Sequence, residues 1–81
     1  MKVIFQRNAA LKFILKQPAK KKERILAAIA QLPEGDVTAM AGQVNRFRLR
    51  IGDYRVVFCY NDQRDTIMIR NVGNRGDVYK G

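Results

Sequence analysis

The sequence predicts an α+β fold, ordered β-α-α-β-β-β, in which a helical hairpin packs on one face of a mostly antiparallel four-stranded sheet. Three observations predict it. Residues 46–72 are runs of β-branched and bulky apolar residues interrupted by turn residues, the pattern of hairpin-connected strands. Within 19–32, Ile25, Ala28, Ile29 and Leu32 fall at the i, i+3, i+4, i+7 spacing of an amphipathic helix. A hydrophobic content of 47% in 81 residues suits one domain spanning 1–81, near the lower size at which a core alone holds a fold.

Each element has its own local reason. "KVIF", 2–5, is a short strand with Val3 and Phe5 on one face and Ile4 on the other. Asn8 is a helix-capping residue type, and "AALKFILKQ", 9–17, gathers Leu11, Ile14 and Leu15 on one helical face. Pro18 closes that helix and suits the first turn of the next, 19–32. Pro33, Gly35 and Gly42 make 33–45 read as a loop returning to the sheet. "RFRLRI", 46–51, alternates three arginines with Phe47, Leu49 and Ile51, which spells one apolar and one cationic face. The turn Gly52-Asp53 leads into "YRVVFCY", 54–60; "NDQRD", 61–65, is a hairpin loop, and "TIMIRNV", 66–72, returns. Two helices cover only one face of such a sheet, so Arg48 and Arg50 are expected to point from the other.

Charge dominates the composition. Sixteen Lys and Arg against seven Asp and Glu give a net charge of +9, which suits a nucleic acid, an anionic surface or an acidic protein partner. The two cation types are segregated. Six lysines lie in the first 22 residues, whereas 46–75 holds seven arginines and no lysine. Arginine's planar fork grips phosphate oxygens bidentately and stacks on bases, so the arginine-rich half is the expected site.

The inventory excludes several chemistries. There is no histidine, so catalytic triads, imidazole-ligated metals and paired-imidazole ribonuclease chemistry are out. A single cysteine cannot build a zinc site or an internal disulfide, and no GxxxxGK phosphate loop is present. The acids, Glu23, Glu34, Asp36, Asp53, Asp62, Asp65 and Asp77, are scattered, against a two-metal carboxylate nuclease. Neither a cofactor nor a metal is expected. No apolar run approaches the roughly 18 residues that span a bilayer, so no membrane role is expected, and "MKVIFQRN" does not begin like a signal peptide. Those features point to the cytoplasm. Cys59, mid-strand, reads as a buried core residue, and Arg64 as an exposed loop tip. Lys20, Lys21 and Lys22 read either as a solvated helix face or, with Arg46, as RNA contacts. In "NVGNRGDVYKG", 71–81, glycines bracket Arg75 and a tyrosine, Tyr79, stands near the end: either a groove-facing pair or, for Tyr79, an aromatic closing the core edge.

"FRLRIGDYRVVF", followed by "VGNRGDVY", resembles the RelE/ParE superfamily of bacterial and archaeal toxins, and the order of elements agrees over essentially all 81 residues. The C-terminal pair of motifs carries the resemblance; the two helices do not. It implies a ribosome-dependent endoribonuclease that cuts messenger RNA in the decoding A site and is neutralised by a cognate antitoxin wrapped around it. By position it implies catalytic roles for Arg48 and Arg50, for Arg55 after the turn, for Arg75 of the "VGNR" bend and for Tyr79. RNA cleavage by its own 2′-hydroxyl needs a base, charge neutralisation at the pentacovalent phosphorus, and a proton for the departing 5′-oxygen. Arginine is effectively never deprotonated, so the base falls to Tyr79 or to ribosomal groups. The same resemblance also covers a ParE-like poison of DNA gyrase without nuclease chemistry, and an inactive relative that only binds antitoxin.

Overall fold

The computed structural model describes residues 1–74. Its elements are β1 (Lys2–Phe5), α1 (Asn8–Leu15), α2 (Ala19–Ala30), β2 (Val37–Ala39), β3 (Phe47–Ile51), β4 (Tyr54–Tyr60) and β5 (Thr66–Asn74). The strands form one sheet in the order β1-β5-β4-β3-β2. β1 runs parallel to β5 and every other pairing is antiparallel. The α+β class and the helical hairpin on one face hold, but the sheet has five strands rather than four. The extra strand is β2, which lies inside the expected loop 33–45. Its three residues carry no alternation of their own; they are extended because β3 offers a ladder, pairing Val37 with Leu49, Thr38 with Arg48 and Ala39 with Phe47. So short an edge strand also limits pairing with foreign chains.

Two helix ends differ from expectation. Asn8 is the first residue of α1, not its cap, and Arg7 in the preceding extended position makes no side-chain capping bond. α2 stops at Ala30 because the chain turns there, with the Leu32 amide donating to the Ile29 carbonyl, while Leu32 still closes the core. The first helix likewise ends at Leu15, and Gln17 beyond it turns back to donate to the Phe13 carbonyl at 3.0 Å.

The core lies between the helices and the sheet. Ile14 and Ile25 from the helices meet Leu49, Val56, Phe58, Ile67 and Ile69, all essentially without solvent contact. Phe58 stacks on Phe47 at 5.5 Å between ring centroids, and Tyr60 meets Phe47 edge-on at 5.4 Å. Tyr54 takes Phe13 edge-on at 6.0 Å and donates its hydroxyl to Gln17 Oε1 at 2.8 Å, tying the end of α1 to β4. Asn45, in the left-handed region at φ 55°, bonds the Tyr60 backbone twice: its Nδ2 donates to the carbonyl at 2.8 Å and its Oδ1 accepts from the amide at 3.0 Å. This clamp fixes the segment that leads into β3.

An irregularity in β5 has the larger consequence. Val57 pairs with Asn71 but the next residue, Phe58, pairs with Ile69, so Arg70 is an extra residue in the ladder. A bulge of this kind breaks the two-residue alternation. Ile67 and Ile69 face the helices, and after the bulge Val72 does so in their place. Simple alternation from Ile67 would instead have sent Asn71 into the core.

Candidate functional site: an arginine face on the sheet

β3 and β4 sort their side chains as their alternation requires. Leu49 and Ile51 pack toward the helices, as do Tyr54, Val56 and Phe58 of β4. Arg48, Arg50, Arg55, Val57 and Cys59 therefore belong to the opposite face. Register brings the cations together: Arg50 lies directly across from Arg55, and Arg48 across from Val57. Directly opposed residues stand about 4.5–5.5 Å apart at Cα, and Arg48 is one strand repeat, roughly 7 Å, from Arg50. Like charges opposed in this way repel, so the arrangement costs stability unless anions relieve it.

The arginines differ in environment. Arg50 is exposed; its Nε lies 3.5 Å from Asp36 Oδ2 and its backbone amide donates to the Asp36 carbonyl at 3.0 Å. An ion pair so open to water contributes only about 0–1 kcal/mol, so a phosphate can displace it readily. Arg48 is partly buried. Arg55 is 7% exposed, the one buried charged side chain among the described residues. Taking a guanidinium out of water is expensive, and arginine, the more weakly hydrated cation, is the type that tolerates it. A buried guanidinium also moves little, which is the property a preorganised charge-stabilising group needs. The far face is consequently less open than the alternation suggests, since Val57 and Cys59 are buried on it as well.

The turn between β3 and β4 holds these residues in register. Gly52 sits in the left-handed region at φ 57°, and a Cβ there would come 3.2 Å from Nη1 of Arg24. Arg24 of α2 thus lies against the turn from the helical side. It faces Arg50 across a cleft of about 470 Å³ that also carries Glu34 and Asp36.

The lysine run takes a different place. Lys20, Lys21 and Lys22 occupy the first turn of α2, in the layer on the other side of the sheet from Arg48, Arg50 and Arg55. Lys20 and Lys21 are exposed, and the Lys21 ammonium stands 6.0 Å from the centre of the Tyr54 ring. Arg46 precedes β3 and lines a hollow with Arg7 and Arg70, neither of which sequence reasoning singled out. Arg75 and Tyr79 lie outside the described residues. Cys59 is a buried free thiol, as expected, and Arg64 is exposed in its hairpin tip with its guanidinium 5.4 Å from the Tyr60 ring centre. Among the described residues no three His, Cys, Asp or Glu side chains gather as a metal-holding group, and no helix is long and apolar enough to cross a membrane.

The chain is 30% identical to toxin RelG of Mycobacterium tuberculosis over 66 residues, covering 70% of this chain and 76% of that protein. It superposes on a chain of the RelB–RelE antitoxin–toxin complex of Methanococcus jannaschii with a TM-score of 0.75 and 25% identity, over 95% of both chains. The isolated RelE toxin of Escherichia coli shares the fold at a TM-score of 0.71 and 21% identity, over 98% of this chain and 90% of that one. No protein-family model matches.

Proposed function

The chain belongs to the RelE toxin superfamily and is the toxin of a toxin–antitoxin system; from that premise we propose that it is an endoribonuclease that cuts messenger RNA in the ribosomal A site, without metal or cofactor. The observation that carries this reading is the cross-strand pairing of Arg50 with Arg55 beside Arg48, on the sheet face away from the helices. Guanidiniums gathered on one face suit a phosphodiester, whose charge grows as the 2′-oxygen attacks phosphorus and the bond to the 5′-oxygen breaks.

In this mechanism Arg55 is the fixed donor to the developing phosphorane. Arg48 and Arg50 hold the flanking non-bridging oxygens, Arg50 exchanging Asp36 for phosphate. One preorganised donor of this type is typically worth about 3–4 kcal/mol of barrier. Arg75 and Tyr79 take the roles implied by the family resemblance, Arg75 at the phosphate and Tyr79 as base or as a stacking platform for a splayed base. In this reading Lys20, Lys21 and Lys22, on the opposite layer, hold ribosomal RNA phosphates while the arginine face meets the message. The partner that neutralises the chain is a cognate antitoxin, and acting on ribosomes makes the cytoplasm its compartment.

The test is brief induction of the chain followed by mapping of transcript ends and of DNA breaks. The proposal expects cuts in codon register within translated regions. DNA breaks with an SOS response and intact messages would instead support a gyrase poison.

A further inference from the structure

Two concavities on the described surface, both bordered by arginines, differ in charge balance. The cleft beside α2 sets Arg24 and Arg50 against Glu34 and Asp36, so its charge is compensated from within. The second, a hollow of about 260 Å³, is bordered by Arg7, Arg46 and Arg70 with no acidic residue in its lining. Three guanidiniums around one hollow raise each other's energy and focus a positive potential into it, which an anion relieves. The Arg70 bulge creates this arrangement, setting Arg70 and Asn71 side by side where an unbroken ladder would show one of them. Arg70 is also held in place, its Nη1 donating to Gln6 Oε1 at 2.8 Å.

The rest of the lining is suited to more than a bare anion. Half-buried Met40 gives apolar surface against which a base can lie, and the amides of Gln43 and Asn71 carry both donors and acceptors for a base edge. Val57 is moreover the cross-strand partner of Arg48, so the hollow continues the arginine face without a break. An acidic protein segment would also satisfy the charge, but the hollow adjoins the Arg48, Arg50 and Arg55 face proposed to meet the message, which favours RNA.

We propose that this hollow is a second RNA subsite, in which Arg7, Arg46 and Arg70 hold the backbone phosphate of a nucleotide next to the scissile linkage while Gln43 and Asn71 meet its base. The inference rests on the ribonuclease reading and extends it to residues outside the catalytic cluster. In this arrangement Arg7 and Arg70 bind and position substrate and take no part in bond breaking.

The experiment titrates the full chain with a short labelled single-stranded RNA, 2′-O-methylated so that it cannot be cut, at rising salt. It compares wild type with Arg7→Gln, Arg70→Gln and the double variant, each checked for an unchanged melting temperature. Losing a charged hydrogen bond to phosphate is expected to weaken binding roughly tenfold to a hundredfold. It should also flatten the logarithmic salt dependence by about 0.7 for each arginine removed. In parallel, cleavage of an unmethylated message on ribosomes should show a raised half-saturating concentration with kcat retained. If wild type cuts and the double variant binds RNA with unchanged affinity and salt slope, the subsite is overturned while the nuclease reading stands. If wild type cuts nothing, the nuclease reading fails, and the titration still decides whether the hollow holds RNA. Weakened binding of the antitoxin with RNA affinity intact would overturn the proposal in favour of an acidic protein segment.

Discussion

Arg55→Gln is expected to lower single-turnover cleavage of a ribosome-bound message by roughly 100- to 1000-fold, the scale of losing one preorganised donor at a developing oxyanion. The reason lies in the burial of this one guanidinium, 7% exposed and directly across the ladder from Arg50. A solvated arginine loses much of its interaction with phosphate to water and must be ordered when substrate arrives. Arg55 is already ordered and largely dehydrated, so its interaction with phosphate is strengthened by the low local dielectric. Arg50→Gln is expected to cost less, because Arg50 is exposed and shared with Asp36. Arg55→Lys retains the charge but not the two-pronged fork and should recover only part of the rate. That variant also guards the interpretation: if the glutamine protein melts early, the lysine protein still separates charge from geometry. Near wild-type rates in both would remove Arg55 from the mechanism.

Phe58→Ala is expected to destabilise the chain by about 3–5 kcal/mol, the usual cost of emptying a buried phenylalanine site. Phe58 has no solvent exposure and is ringed by Phe47 at 5.5 Å and Tyr60 at 6.0 Å. Domains of this size hold only about 5–15 kcal/mol in total, so the loss is a large fraction of the whole. At about 4–8 °C of melting temperature per kcal/mol, the midpoint should fall by tens of degrees. Phe58→Leu keeps apolar contact and should fall much less. The measurement is a urea titration, in which the midpoint drops with little change in slope. A loss under about 1 kcal/mol for the alanine variant would mean that the aromatic cluster collapses around the gap, against the rigid packing.

The sequence was most legible where local pattern and tertiary structure agree. β1 and β4 begin and end where "KVIF" and "YRVVFCY" do, because alternation and flanking turn residues state both limits. Helix ends drifted by one or two residues, since Asn8 carries the cap chemistry but not the cap geometry. β2 was not legible at all: Val37-Thr38-Ala39 is extended only because β3 pairs with it. The same limit hid the hollow. The Arg70 bulge is a property of the β4–β5 ladder, and no turn residue announces it. Among the candidate site residues, the alternation of "RFRLRI" put Arg48 and Arg50 on one face, and register added Arg55. Its burial was not foreseeable, because a charged residue on a polar face is ordinarily exposed. The run Lys20-Lys21-Lys22 shows the opposite limit. Sequence can pool cations by type, but only the fold shows that these lie across the sheet from the arginines. Arg75 and Tyr79 rest on the family resemblance.

A guanidinium-lined sheet face that assists attack of a 2′-hydroxyl on the neighbouring phosphorus leaves a distinctive pair of RNA ends. The most direct measurement is the chemistry of the new ends when the purified chain is added to ribosomes holding a defined message in the presence of EDTA. The expected ends are a 2′,3′-cyclic phosphate or 3′-phosphate upstream and a free 5′-hydroxyl downstream. A 5′-phosphate with a 3′-hydroxyl, or an intact message, would contradict it.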